Sequence, residues 1–153
     1  MALVKQDIGA RALLFDMLVD DNPNQPNESS PFRYFKVDQL KESVINEVTN
    51  LLNTRRSFAN FDNIVWGTTL AYGMGDHAGA STNSEKDKEA IATDIQKTIQ
   101  RFESRLKSIR VKIVEAEPLS AGLLVVIDAI LKAGKIQEQF SFEVVIGPES
   151  QGE

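Results

Sequence analysis

The 153-residue sequence contains no cysteine and a single histidine, His77. Without cysteine there can be no disulfide framework, no thiolate nucleophile, no iron–sulfur cluster and no cysteine-bearing zinc site. One histidine leaves no multi-histidine metal site within the chain. Positive charge is in the minority as well: 17 Lys and Arg against 22 Asp and Glu give a formal net charge of -5 and a pI near 5.0. A surface that binds nucleic acid needs a basic patch against the phosphates, so this balance argues against one. Long apolar runs are also missing. The longest, Leu123 to Ile127, is far too short to cross a bilayer, and the segment from Met1 to Gly9 is too mixed for an export signal. The expectation is a cytoplasmic protein of one domain, able to bury about 70% of its unfolded surface without a staple or metal.

The pattern that is present divides the chain. Leu14, Met17 and Leu18 share one helical face within Arg11 to Leu18. Asp20 to Pro31 follows with three of the five prolines and almost no apolar residue, which predicts a linker. Residues 1–31 therefore read as a detachable helical arm and linker, 32–148 as the folded domain and 149–153 as a tail. In the domain, Val37, Leu40, Val44, Val48, Leu51 and Leu52 recur at helical spacing, with Asp38 as a start signal and Asn53 to Ser57 as the stop. Ile64 to Tyr72 predicts a short helix ending at Gly73. Ser84 is placed to cap a longer one, in which Ile91, Ile95, Ile99, Phe102 and Leu106 lie four, four, three and four residues apart.

After Leu106 the period changes to two. Ile109, Val111 and Ile113 alternate with Arg110 and Lys112, as a half-buried strand requires. Leu123 to Leu131 is apolar on both faces and predicts a central strand; Lys132 to Lys135 is a turn; Phe140, Phe142, Val144 and Ile146 alternate in a third strand stopped by Gly147-Pro148. Helices first and antiparallel strands last make an α+β fold, with N-terminal helices followed by a three-stranded antiparallel sheet.

Few residues carry a chemical signature. Glu103 and Arg105, placed at the end of the long helix, read either as a functional pair or as solvated surface charges; two apart on a helix they would point in different directions. Acids are plentiful, but Glu85, Asp87 and Glu89 lie among lysines, and Glu115 and Glu117 lie at a strand end. None suggests the carboxylate couple of a glycosidase. His77 sits in Gly73-Met74-Gly75-Asp76-His77-Ala78-Gly79, which lacks the Lys-Ser or Lys-Thr of a phosphate loop, so it reads as a polar turn residue. Arg55-Arg56 reads as a helix-end pair or a contact for an acidic partner. The three-stranded sheet must have two edges, and an open edge can take a partner's strand.

LKESVINEVTNLLNTRR (Leu40 to Arg56), TTLAYGMGD (Thr68 to Asp76) and IQKTIQRFESRLKSIRV (Ile95 to Val111), followed by three strands, resemble the TssE family, the baseplate-wedge subunits of bacterial type VI secretion systems. These are related to a small wedge protein of contractile phage tails often labelled lysozyme-like. Leu14 to Leu18 is similar to the family's opening LFDRL, and the likeness spans about Arg11 to Pro148. It implies a structural, non-enzymatic subunit without cofactor. Such a subunit docks on the TssF–TssG core bundle with TssK as a further baseplate neighbour, and templates the TssB–TssC sheath through its sheet. It works in a cytoplasmic, membrane-docked baseplate and touches neither nucleic acid nor the membrane interior. The family's Glu-Pro-Arg motif maps to Glu103-Ser104-Arg105, with Ser in place of Pro. Partner contacts are expected from Glu103, Arg105 and Arg55, and from Phe140, Phe142 and Val144 on the last strand. The alternative implied by the label is a peptidoglycan-cleaving enzyme; a free-standing ligand-binding domain is a third possibility.

Overall fold

Apolar residues three and four apart form helices here because that spacing gives each helix one buried stripe. The computed structural model describes residues 9–11, 34–56, 68–75, 77, 84–114 and 122–147. Helix α1 (Val37–Asn53) buries Leu40, Val44, Val48, Leu51 and Leu52, and α2 (Glu85–Phe102) buries Ile91, Ile95, Thr98 and Ile99. Each fully buried Leu or Ile side chain contributes about 1.5–3 kcal/mol, far more than local helix propensity. Ser84 caps α2 as expected, its Oγ accepting from Asp87 N at 3.4 Å. The start of α1 differs: Lys36 is the cap residue, its N–H donating to Gln39 Oε1 at 3.1 Å, and Asp38 lies inside the first turn.

The predicted sheet is present. Strands β3 (Leu106–Val114), β4 (Leu123–Ala133) and β5 (Ile136–Ile146) are antiparallel in the order β3-β4-β5. Gly134 at φ 59 makes the two-residue turn from β4 to β5. Val125, Ile127, Ala129 and Leu131 of the central strand face both helices, with Leu106 and Ile109 beside them on β3 and Phe142 and Val144 on β5. The result is a two-layer α+β domain with the helices on one face of the sheet and, among the described residues, no element packed on the other.

Four local features depart from the sequence reading. Helix α2 ends at Phe102, so Leu106 begins β3 and does not extend the helical stripe. Strand β3 carries a bulge: Lys107 pairs with Ile130 and Arg110 with Asp128, and Ser108 between them has φ 53. The extra residue lets Leu106 and Ile109, three apart, both point inward. Arg11 is not helical. Ala10–Arg11 (β1) pairs antiparallel with Tyr34–Phe35 (β2), and Ala10 is buried in the core. The rest of the expected N-terminal helix and linker lies outside the described residues. Of the helix expected from Ile64 to Tyr72, the described portion holds a 3-10 turn, Thr69–Ala71.

Candidate docking corner and sheet edge

Glu103 ends α2. Its backbone leaves the helical region at φ -108, ψ 89 while its N–H still donates to Ile99 O at 2.8 Å. Because helical geometry stops there, Arg105 turns back onto Glu103. Arg105 Nε donates to Glu103 Oε1 at 2.8 Å and Nη2 to Oε2 at 2.6 Å, a two-pronged ion pair, and Arg105 N adds a third bond to Oε1 at 3.0 Å. Nη1 reaches Ser43 Oγ on α1 at 3.0 Å, and Arg105 O accepts from Lys132 N on β4 at 2.7 Å. The two residues are 3% and 8% exposed. They are therefore neither diverging nor solvated, as helical spacing suggested, but a buried clamp joining α1, α2, β3 and β4. Among the described residues nothing accepts from the Ser104 N–H, and Glu103 already lies outside the helical region. The turn thus does not depend on a backbone donor at position 104.

A second cluster holds the glycine-containing segment against α1 and α2. Beyond α1, Arg56 N donates to Met74 O at 2.8 Å and Met74 N to Thr54 O at 2.8 Å, a parallel bridge flanking the exposed Arg55. Asp94 of α2 then gathers three groups: Arg56 Nη2 at 3.5 Å from Oδ1, with His77 Nε2 at 3.0 Å and Gly75 N at 3.2 Å from Oδ2. His77 is thus a tether between loop and helix, a role that spacing 17 residues apart did not reveal.

Tyr72 packs edge-on against Phe102, ring centroids 5.4 Å apart, with its hydroxyl 3.5 Å from Glu47 Oε1. Burial, then the charge of Glu47 and its hydrogen bond, then Glu103, push the phenol above its ordinary 10.0. A group whose pKa is raised by folding stabilises the fold below its unfolded pKa, and that contribution is lost as pH rises through the folded value. Stability should therefore fall above about pH 10, and less so in Tyr72→Phe, measured by urea melts across that range. Equal alkaline losses in both proteins would exclude Tyr72 as the cause.

The expected residues of the last strand divide by burial. Phe142 and Val144 lie in the core under the helices, where their side chains pack inside this chain. Phe140 is half-buried, stacked on Phe142 at 4.9 Å and 17°, with Lys41 Nζ 5.9 Å above its ring. Lys41 also pairs with Glu138 at 2.6 Å, tying α1 to β5. The helix-facing side of this strand is thus already largely occupied.

The sequence profile of the family described as baseplate wedge protein gp25 matches residues 38–135, well over half of the chain. The chain belongs to that family. Its members are structural baseplate components, and the matched span of this wedge protein runs from the start of α1 through the turn between β4 and β5. Comparison with curated proteins returns no match. Among solved structures, a chain described as a tail lysozyme from Geobacter sulfurreducens is similar with a TM-score of 0.51 and 13% identity, over 72% of this chain and 95% of that one. A chain of the baseplate complex from the type VI secretion system aligns with a TM-score of 0.48 and 13% identity, over 72% and 97%. At that identity the first likeness concerns the fold alone; membership rests on the profile.

Among the described residues no group of three or more His, Cys, Asp and Glu is arranged to hold a metal ion, and no helix is long and apolar enough to cross a membrane.

Proposed function

We propose that this wedge protein is a non-enzymatic subunit of a type VI secretion baseplate. It docks on the TssF–TssG core bundle, with TssK as a further baseplate neighbour, and offers a sheet edge on which the TssB–TssC sheath begins. Membership of the wedge family carries this reading. The motifs from Leu40 to Arg56, Thr68 to Asp76 and Ile95 to Val111 narrow it to the secretion-system branch. Residues 32–148 form the wedge domain, which Ala10–Arg11 joins through its pairing with Tyr34–Phe35, and 149–153 form a tail, in a cytoplasmic protein of a membrane-docked baseplate.

The docking role of Glu103 and Arg105 takes a particular form here. Since their charges are spent on each other, the clamp acts by holding the corner in shape, with the exposed Ser104 at its tip and the exposed Arg55 available for a charge-assisted bond to an acidic partner. The peptidoglycan-cleaving alternative needs a carboxylic acid free to protonate a sugar oxygen. Glu103, the buried acid among the described residues, has both oxygens engaged by Arg105.

Co-purification tests the docking. The wild-type chain should be recovered with co-expressed TssF and TssG. Arg55→Glu should lower that recovery while leaving the circular dichroism spectrum and melting temperature unchanged, because the side chain is exposed. Failure of the wild-type chain to associate would remove the docking reading; undiminished recovery of the variant would remove Arg55 from it.

A further inference from the structure

The two edges of the sheet are built differently. β3 is kinked by its bulge at Ser108 and carries the exposed cations Lys107, Arg110 and Lys112. Bulges and lysines are devices that keep an edge from pairing. β5 pairs with β4 over its whole length without a register shift, and its exposed residues Gln137, Gln139, Ser141, Glu143 and Val145 include neither a cation nor a proline. Val145 is 58% exposed.

Asn53, the last residue of α1, shows which backbone groups of β5 face outward. Its Nδ2 donates to Val145 O at 3.1 Å and its Oδ1 accepts from Gly147 N at 3.2 Å. The same Nδ2 donates to Thr49 O at 3.0 Å, anchoring the amide to its own helix. In a strand the N–H and C=O of one residue point to the same side, and successive residues alternate. Gln139, Ser141 and Glu143 therefore share the outward direction of Val145, while Phe140, Phe142 and Val144 bond to β4. Among the described residues no backbone group from outside the sheet pairs with that outward row. Donating to one residue and accepting from the residue two further on is what a residue of a parallel neighbouring strand does, and the Asn53 amide does it at one end only.

We propose that the outer edge of β5 from Gln137 to Glu143 accepts an extended strand of a partner protein, and that the Asn53 amide is the stop that sets its register. This rests on the reading of the sheet as a sheath-initiating edge and names the edge and its limit. The charge pattern describes the partner strand. On the open face it meets Gln139, Ser141 and Glu143, whose one charge is negative, so a Lys or Arg belongs opposite Glu143. On the helix side it meets the half-buried ring of Phe140, so apolar residues belong at the alternate positions.

The lack of cysteine makes the test direct, because one introduced cysteine is a unique attachment point for a benzophenone-maleimide crosslinker. The full chain carrying Gln139→Cys should crosslink to purified TssB–TssC, and Lys112→Cys on β3 at least about tenfold less. Dominant crosslinking from Lys112→Cys would overturn the choice of edge while leaving the sheath reading in place. Crosslinking from neither position would overturn both. Crosslinking only to a second copy of this chain would overturn the partner. For the stop, Val145→Cys should crosslink weakly in an otherwise wild-type chain and as strongly as Gln139→Cys once Asn53→Ala is added. Equal crosslinking from both positions with Asn53 intact would overturn it. In the free protein, the Gly147 amide should exchange with solvent roughly tenfold faster in Asn53→Ala, and the Ser141 amide should be fast in both. A slow Ser141 amide in the free protein would mean that the edge is not open.

Discussion

Replacing Glu103 by Ala should destabilise the wedge domain by about 3–5 kcal/mol, because it leaves the Arg105 guanidinium buried without its counter-charge. The loss exceeds what a surface pair yields, about 0–1 kcal/mol, because desolvation is no longer offset. Three bonds go at once, from Arg105 N, Nε and Nη2, and the fourth, Nη1 to Ser43 Oγ, loses its alignment. Against a total stability of about 5–15 kcal/mol, this is enough to unfold a marginal domain. Urea denaturation provides the measurement, with the midpoint falling at unchanged slope. The paired change Glu103→Leu with Arg105→Met should recover much of the loss, since an apolar pair of similar volume replaces a buried ionic one at little cost. If the double variant is no better than Glu103→Ala, the clamp stabilises through shape and not through charge. If Glu103→Ala melts like wild type, the pair is not buried in solution.

Gly73→Ala should cost about 2–6 kcal/mol, the sum of left-handed backbone strain and overpacking at about 1–3 kcal/mol each. Gly73 has φ +103, and a Cβ there would lie 2.4 Å from Thr54 O, the oxygen that accepts from Met74 N. Backbone is on both sides of the collision, so neither side can yield as a flexible side chain would. Relief requires opening the bridge between the end of α1 and residues 73–75, and with it the attachment through Asp94. For a chain of this size each kcal/mol moves the melting temperature by about 2–4 °C, so a fall of roughly 4–24 °C is expected. Amide exchange should quicken first at Arg56 and Met74. An unchanged melting temperature would show that the segment moves aside freely and contributes nothing to the fold.

The elements themselves were legible because they follow from local periods. Isoleucines four apart specify α2 wherever it docks, and the alternation of Phe140, Phe142, Val144 and Ile146 specifies a strand with one buried face. Even the capping of α2 by Ser84 is a matter of three residues. The wedge family was legible too, as a combination of short motifs. A local period misleads where it runs on past a point that only packing marks. Leu106 continues the spacing of Ile99 and Phe102, so α2 looked longer than it is; the sheet takes Leu106 instead, through pairing with Leu131.

The chain's order of elements, its acidic balance and its lack of cysteine are properties of composition and of neighbours a few residues apart, and the sequence by itself determined them. Tertiary structure decided the rest. Whether Glu103 and Arg105 diverge or clasp depends on where α2 stops, and Ser43, 62 positions from Arg105, completes the clasp. Asn53 became a strand stop because α1 ends beside Val145, 92 positions away. The difference between the two edges likewise needed β3 and β5 on opposite sides of β4. Short-range periodicity selects local backbone conformation. Burial of a charge, or the blocking of an edge, depends on which distant segment arrives there.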